Sequence, residues 1–177
     1  MKLNGPLFFA AALITSASAM RADAQAPTKP NDAQIAHIAY TADNIDIKAG
    51  QLALQKSQNP QIKEFAQEMV RDHTAVNEKA LALLKKLNVQ PQDNDTSRAL
   101  TRQADGEMQK LNTLNGSAFD KAYADHELAY HRQVNEAVRT TLIPSASNAE
   151  LKELLTTGLK IFEGHQQHAE QLVQKLR

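Results

Sequence analysis

Six histidines, His37, His73, His126, His131, His165 and His168, stand in a sequence with no cysteine. A strong metal site in this chain must therefore come from imidazole and carboxylate. Thiolate nucleophiles, disulfides, cysteine-ligated zinc and iron–sulfur clusters are excluded. His73 and His165 fall on the apolar seams of their segments. A buried imidazole needs a hydrogen-bond partner or a metal, because burial without either costs free energy. Carboxylates accompany the rings. Glu68 and Asp72 lie four apart beside His73. Glu127 and His131 also lie four apart and so share one face of a helix. Asp43 and Asp46 stand at the height opposite His73, although Ile45 holds the seam itself. Mixed nitrogen and oxygen donors of this kind suit zinc, copper, iron or manganese.

The candidate ligands are His73, His131, His165, Asp72, Glu127 and Asp46. Catalysis has less support. Di-iron carboxylate centres use Glu-x-x-His on two helices, and that spacing occurs nowhere in this chain. There is no Gly-x-Ser-x-Gly elbow and no phosphate-cradling glycine loop.

The elements that must position these residues are helical. Ile35, Ile38, Ala42, Ile45, Ala49 and Leu52 recur at helical steps, with Asp32 as the expected N-cap. Asn59 and Pro60 start a second helix, with Asn59 as its cap. Its seam runs Ile62, Ala66, Met69, His73, Val76, Ala80, Leu83 and Leu87. The stretch from Asn88 to Asp95 breaks it. A shorter segment from about Thr96 to Leu114 follows, and Asn115-Gly116 stops it. Ser117 is the expected cap of a fourth helix that ends at Ile143-Pro144. Ser147-x-x-Glu150 reads as a capping box for a fifth, with Leu151, Leu155, Gly158, Phe162, His165, Ala169, Leu172 and Leu176 on its seam.

Four of these segments are long enough for helices of about 40 Å. Short links join the first to the second and the fourth to the fifth, whereas residues 88–116 can return along the bundle. The expected fold is all-α: a ferritin-like four-helix bundle with a short extra helix in the long crossover. In that topology the second and fourth helices run the same way. His73, 13 residues after Pro60, then matches the height of His131, 14 residues after Ser117. His165 is 17 residues beyond Asn148 while His131 is 11 before Leu142, a mismatch of roughly 9 Å at 1.5 Å per residue. By the same count His126 lies nearer in height to His165.

The chain has 177 residues, with 20 basic and 20 acidic side chains. One domain is the expectation, and a neutral balance offers no general attraction for nucleic acid. Residues 1–24 have the layout of a cleaved secretory signal. Lys2 precedes an apolar run from Leu7 to Ile14, and Ala-x-Ala sites permit cleavage after Ala19 or Ala24. Removal at either site leaves one more acid than base. No cysteine follows the apolar run, so no lipoprotein anchor is expected. No later segment is apolar enough for a transmembrane helix. Residues 25–31 read as a flexible lead-in, and 32–177 as the bundle. An exported, cysteine-free protein fits a bacterial periplasm.

Gly50-Gln51-Leu52-Ala53-Leu54, Asn59-Pro60 and Phe65-Ala66-Gln67-Glu68-Met69-Val70-Arg71-Asp72-His73 carry a resemblance. It continues through Phe119-Asp120-Lys121-Ala122-Tyr123 and His131 and returns at His165. Over about residues 33–175 the chain resembles the exported bacterial family called domain of unknown function 4142, a ferritin-like helical family. The resemblance implies functional roles for Asp72, His73, Asp125, His131 and His165, with the first-helix acid at Asp46. The family usually has Asp before the second histidine, where this chain has Tyr130. The family's activity is not established.

Two readings stay open from the residues. In one, an exported, non-enzymatic protein binds a transition metal through the bundle histidines and acts in envelope upkeep or stress tolerance. In the other, the bundle is purely structural and its histidines are hydrogen-bonded core residues.

Overall fold

The computed structural model describes residues 29–177. The expected signal segment and most of the lead-in lie outside the described residues. Helix α1 spans Asp32–Lys56, α2 Pro60–Leu87, α3 Asp95–Thr113 and α4 Gly116–Ala137. A π-helical turn, Val138–Leu142, leads into a short α5, Ile143–Ser145, and α6 runs Ala149–Lys175. Helices α1 and α2 form one hairpin, α4 and α6 the other, and α2 packs on α6 to close the bundle. Helix α3 returns along α1 within the long connection. This is the expected ferritin-like four-helix bundle with its extra crossover helix.

Local chemistry explains the helix ends, and three of them differ from expectation by one or two residues. Asn31, not Asp32, caps α1, in a reciprocal box with Gln34. Asp32 instead accepts hydrogen bonds from the backbone N–H groups of Ser147 and Asn148 at 2.7 and 2.9 Å. It thereby ties the start of α1 to the start of α6. Asn148, not Ser147, caps α6, through the N–H of Leu151. Helix α4 begins at Gly116 with Asn115 before it and no side-chain cap, so Ser117 does not fill that role. Gly116 has φ +56°, a left-handed conformation that a Cβ makes costly. The cap at Asn59 and the proline in the first turn of α2 are as the sequence suggests.

The fourth helix does not end at Ile143-Pro144. Its path continues through Pro144 to Ser145. A proline inside a helix collides with the carbonyl four residues back, here that of Thr140. The π turn just before it widens the path, with Ile143 N–H bonded to the carbonyl of Val138.

The core has two apolar ends. Phe65, Met69, Phe119, Tyr123 and Leu172 belong to one, with Ile62, Leu111 and Ala169 among them. Ile35, Ile38, Val138, Leu142, Leu151, Leu155 and Leu159 make the other. Between them along every long helix of the bundle lies a layer of buried polar residues: Asp43 and Asp46 on α1, His73 and Asn77 on α2, Glu127, His131 and Asn135 on α4, and His165 on α6. No helix among the described residues is long and apolar enough to cross a membrane.

Candidate metal centre

The polar layer brings three histidines from three helices together. His73, His131 and His165 are 3%, 1% and 2% exposed, and one ring nitrogen from each lies within 4.8 Å of the others. The height mismatch expected for His165 is smaller because the α4 path runs on to Ser145. His131 is thus 14 residues from its end rather than 11, against 17 for His165, and the π turn absorbs part of what is left. The remaining three residues amount to about 4.5 Å, which the reach of two imidazole side chains covers. His126 is not in the group; it stacks on Tyr130 at 5.8 Å toward α3.

Each ring is held by one nitrogen and leaves the other free. His73 Nδ1 pairs with Asp43 Oδ1 at 2.8 Å. His131 Nδ1 donates to the backbone carbonyl of Glu127 at 3.0 Å, an i, i−4 contact within α4. His165 Nε2 donates to Asp72 Oδ2 at 3.0 Å, and Arg71 grips the same carboxylate at 2.7 and 3.0 Å. The opposite nitrogens, His73 Nε2, His131 Nε2 and His165 Nδ1, are buried without a hydrogen-bond partner. His73 Nε2 and His131 Nε2 lie 3.0 and 3.4 Å from Asp46 Oδ2, but off the hydrogen-bond direction, so both Asp46 oxygens are also unpartnered. So are both oxygens of Glu127 and the hydroxyl of Tyr123. Buried polar atoms are normally paired, and a cluster of exceptions at one point needs an explanation. Outer partners that pin one nitrogen of a histidine and aim the other are the usual support of a metal ligand.

The electrostatics suit the same arrangement. Burial works against charge on His73, but Asp46 and Asp43 outweigh it and raise its pKa to about 10. Burial alone would raise Asp46; His73 and His131 instead hold it below the ordinary carboxylate range. Burial, reinforced by the Asp46 charge, pushes the Glu127 carboxyl well up, toward its protonated form. Burial lowers His131, and lowers His165 to about 4, Asp72 notwithstanding. Without metal, one positive ring therefore sits between two buried acids: Asp46, which is held low, and Asp43, which burial pushes up. His131 and His165 are neutral, and their hydrogen bonds place the lone pair on His131 Nε2 and His165 Nδ1. Two imidazole lone pairs, a third released by deprotonating His73, and the Asp46 carboxylate form a donor set that permits a transition metal ion.

Of the six expected ligands, the structure brings His73, His131, His165, Asp46 and Glu127 to one place. Asp46, Glu127 and His131 form a second overlapping group of donors within 4.8 Å. Asp72 lies elsewhere: it is on the outer side of the His165 ring, with Glu68. Adjacent residues on a helix point about 100° apart, so Asp72 serves α6 while His73 faces inward. Asp125, implied by the family resemblance, is a half-exposed partner of Lys121 at 2.7 Å and is not in the group. Tyr130, where the family resemblance led one to expect Asp, donates its hydroxyl to the carbonyl of Ala42 at 2.9 Å and joins α4 to α1. The apolar seam placed Phe162 inside but did not show that it stacks on His73, with ring centroids 4.4 Å apart. Nor did it mark Asn135, whose amide spans to the carbonyl of Phe162 and to Gln166.

No curated protein matches this sequence. Two solved structures share the fold. One is a protein from Streptomyces coelicolor described as secreted and named DUF305; it aligns with a TM-score of 0.69 and 13% identity over 81% of this chain and 91% of its own. The other is CopM in its Cu(II)-bound form, with a TM-score of 0.65 and 13% identity over 85% of this chain and 100% of its own. The sequence profile described as domain of unknown function (DUF4142) matches residues 17–172, and this protein belongs to that family.

Proposed function

We propose that this protein is an exported holder of one divalent transition metal ion, bound in the bundle core by His73, His131, His165 and Asp46. Glu127 stands beside them as a fifth donor or as the neutral acid that accompanies Asp46. One observation carries the reading: three inward-facing ring nitrogens and both oxygens of Asp46 are buried together without partners, while the outward nitrogens are all pinned. Copper(II) is the first ion to test. Nitrogen and oxygen donors bind it most tightly among the divalent first-row metals, and the fold is shared with a protein seen in a Cu(II)-bound form. Zinc, iron and manganese are the other candidates. The signal-like start of the sequence and the similarity to a protein described as secreted support a periplasmic address. The donors are enclosed by the bundle, which favours holding an ion over turning over a substrate, in metal handling or stress tolerance at the envelope.

The test is metal analysis and titration of protein purified without a histidine tag. One equivalent per chain, with a rise in melting temperature on adding Cu²⁺ or Zn²⁺, is expected. No stoichiometric metal, with melting unchanged by Cu²⁺, Zn²⁺ and Fe²⁺, would overturn it. The second reading, a structural bundle, draws on the Asp43–His73 and Asp72–His165 pairs, which can set helix register without any ion. Those pairs use only the outer nitrogens and leave the inner ones unexplained.

A further inference from the structure

A second set of donors lies just outside the centre, on the seam between α2 and α6. Glu68 and Asp72 are one turn apart on α2, and His165 and His168 are one turn apart on α6. Oxygens of Glu68 and Asp72 and a nitrogen of His165 lie within 4.8 Å of one another. His168 Nδ1 pairs with Glu68 Oε2 at 2.7 Å, and its ring stands edge-on to Phe65 at 5.0 Å, which fixes its orientation. His165 belongs to both groups of donors. Its Nε2 faces Asp72 in the outer set, and its Nδ1 is buried without a partner. Exposure follows the same order. The side chains of Glu68, Asp72 and His168 are 30%, 22% and 34% exposed, whereas that of His165 is 2% exposed.

We propose that Glu68, Asp72 and His168 form a solvent-facing port for a divalent transition metal ion, which loads the buried centre past the His165 ring. The inference rests on the reading of the buried centre as a metal site. An ion cannot enter that centre with its water shell intact, because the ligands are walled by four helices. It needs a place where protein oxygens replace water in steps. Two carboxylates and an imidazole at partial exposure supply that, with charge that draws cations from solution. The Arg71 guanidinium holds Asp72 in the metal-free chain, but its side chain is 68% exposed and free to swing into water when an ion takes its place. His165 can then exchange Asp72 for the ion and turn it toward His73 and His131. No bond other than metal coordination is made or broken, and displaced protons leave to solvent.

A port changes the rates of entry and exit together and leaves equilibrium affinity alone. The test follows Cu²⁺ binding to the metal-free full chain by stopped-flow quenching of tyrosine emission, and its removal by excess chelator. Glu68→Gln/His168→Gln is compared with wild type, and Glu68→Gln alone serves as the milder variant. Loading slower by roughly tenfold or more, with removal slowed to match and the dissociation constant unchanged, is the expected result. Unchanged loading in the double variant would overturn the port. So would a weaker dissociation constant with faster removal, which would make these residues part of the holding site. Wild-type protein that binds no Cu²⁺ at equilibrium would overturn the centre and the port together, and that result is distinct from unchanged kinetics.

Discussion

Asp43 takes His73 by Nδ1 at 2.8 Å and so turns Nε2 toward Asp46 and the other two histidines. The pair decides both the direction of the ring and its charge. With Asp43 and Asp46 on either side, His73 is a cation in the metal-free chain at neutral pH. A proton therefore occupies the position that a metal ion would claim, and metal binding releases it.

This gives the stability of the metal-free chain a definite pH dependence. His73 is raised from 6.5 to about 10, so between these values the folded chain holds a proton that the unfolded chain lacks. Its contribution is complete below 6.5 and is lost as pH rises toward 10. His165 works in the opposite direction. It is lowered from 6.5 to about 4, so its contribution is present above 6.5 and is lost as pH falls toward 4. Thermal melts in the presence of chelator should show greatest stability near neutral pH, with a decline on each side. His73→Gln should lose the alkaline decline, and should cost about 3–5 kcal/mol at neutral pH because Asp43 and Asp46 are left buried without their cation. Equal alkaline slopes for wild type and variant would refute the assignment.

The seam of α2 and α6, read as steps of three and four, placed His73 and His165 inside, as the structure has them, but the count along the helices did not bring the three rings together. Finer details were not legible either. Asn31 and Asp32, or Ser147 and Asn148, are adjacent residues of equal capping ability, and only tertiary contacts choose between them; Asp32 was drawn off by the start of α6. The height of His165 was misjudged because a π turn next to Pro144 has no signature in the apolar periodicity. Asp72 and His73 were both expected as ligands of one site, although they are neighbours in sequence. Neighbours on a helix face different partners, and each acid in fact serves the histidine of another helix.

The roles of Asp46 and Asp72 separate in a metal titration. Asp46 faces the free nitrogens, so Asp46→Asn should lose stoichiometric Cu²⁺ binding, as should His131→Gln. Once the ion is in the centre, Asp72 acts on it through the orientation of His165 from outside. Asp72→Asn should keep one equivalent with affinity lower by roughly 10–100-fold. Calorimetric titration checks both, and identical isotherms for the two asparagine variants would contradict the distinction.

Glu127 is fully buried beside Asp46, and burial and the Asp46 charge push its carboxyl toward the protonated form. Glutamine copies a protonated glutamic acid in shape and charge. Glu127→Gln should therefore change metal-free stability by less than about 1.5 kcal/mol, while Glu127→Ala should cost about 2–5 kcal/mol through the cavity it leaves. Chemical denaturation measures both. A large gain in stability from Glu127→Gln would mean that the carboxylate is charged in the folded chain, because removing a second buried anion next to Asp46 would be strongly favourable.

Two glycines test the packing that sets the height of Asp46 against His73. At Gly50 on α1, a Cβ would lie 3.0 Å from Val70 Cγ2 and 3.1 Å from the carbonyl oxygen of Ala66 on α2. The side chain can shift, but the helix backbone cannot give way without moving α2, which carries His73. At Gly106 on α3 a Cβ meets nothing within 4 Å. Alanine favours a helix over glycine by about 1 kcal/mol at either site. At Gly106 that gain is unopposed, and Gly106→Ala should stabilise by about 0.5–1 kcal/mol. At Gly50 overpacking of about 1–3 kcal/mol opposes it. Gly50→Ala should accordingly be destabilising, and it should also weaken Cu²⁺ binding because it pushes the two sides of the centre apart. Denaturation and titration of the two variants in parallel provide the comparison. A Gly50→Ala protein as stable as Gly106→Ala would show that α1 and α2 do not approach as closely as the Gly50 contacts require.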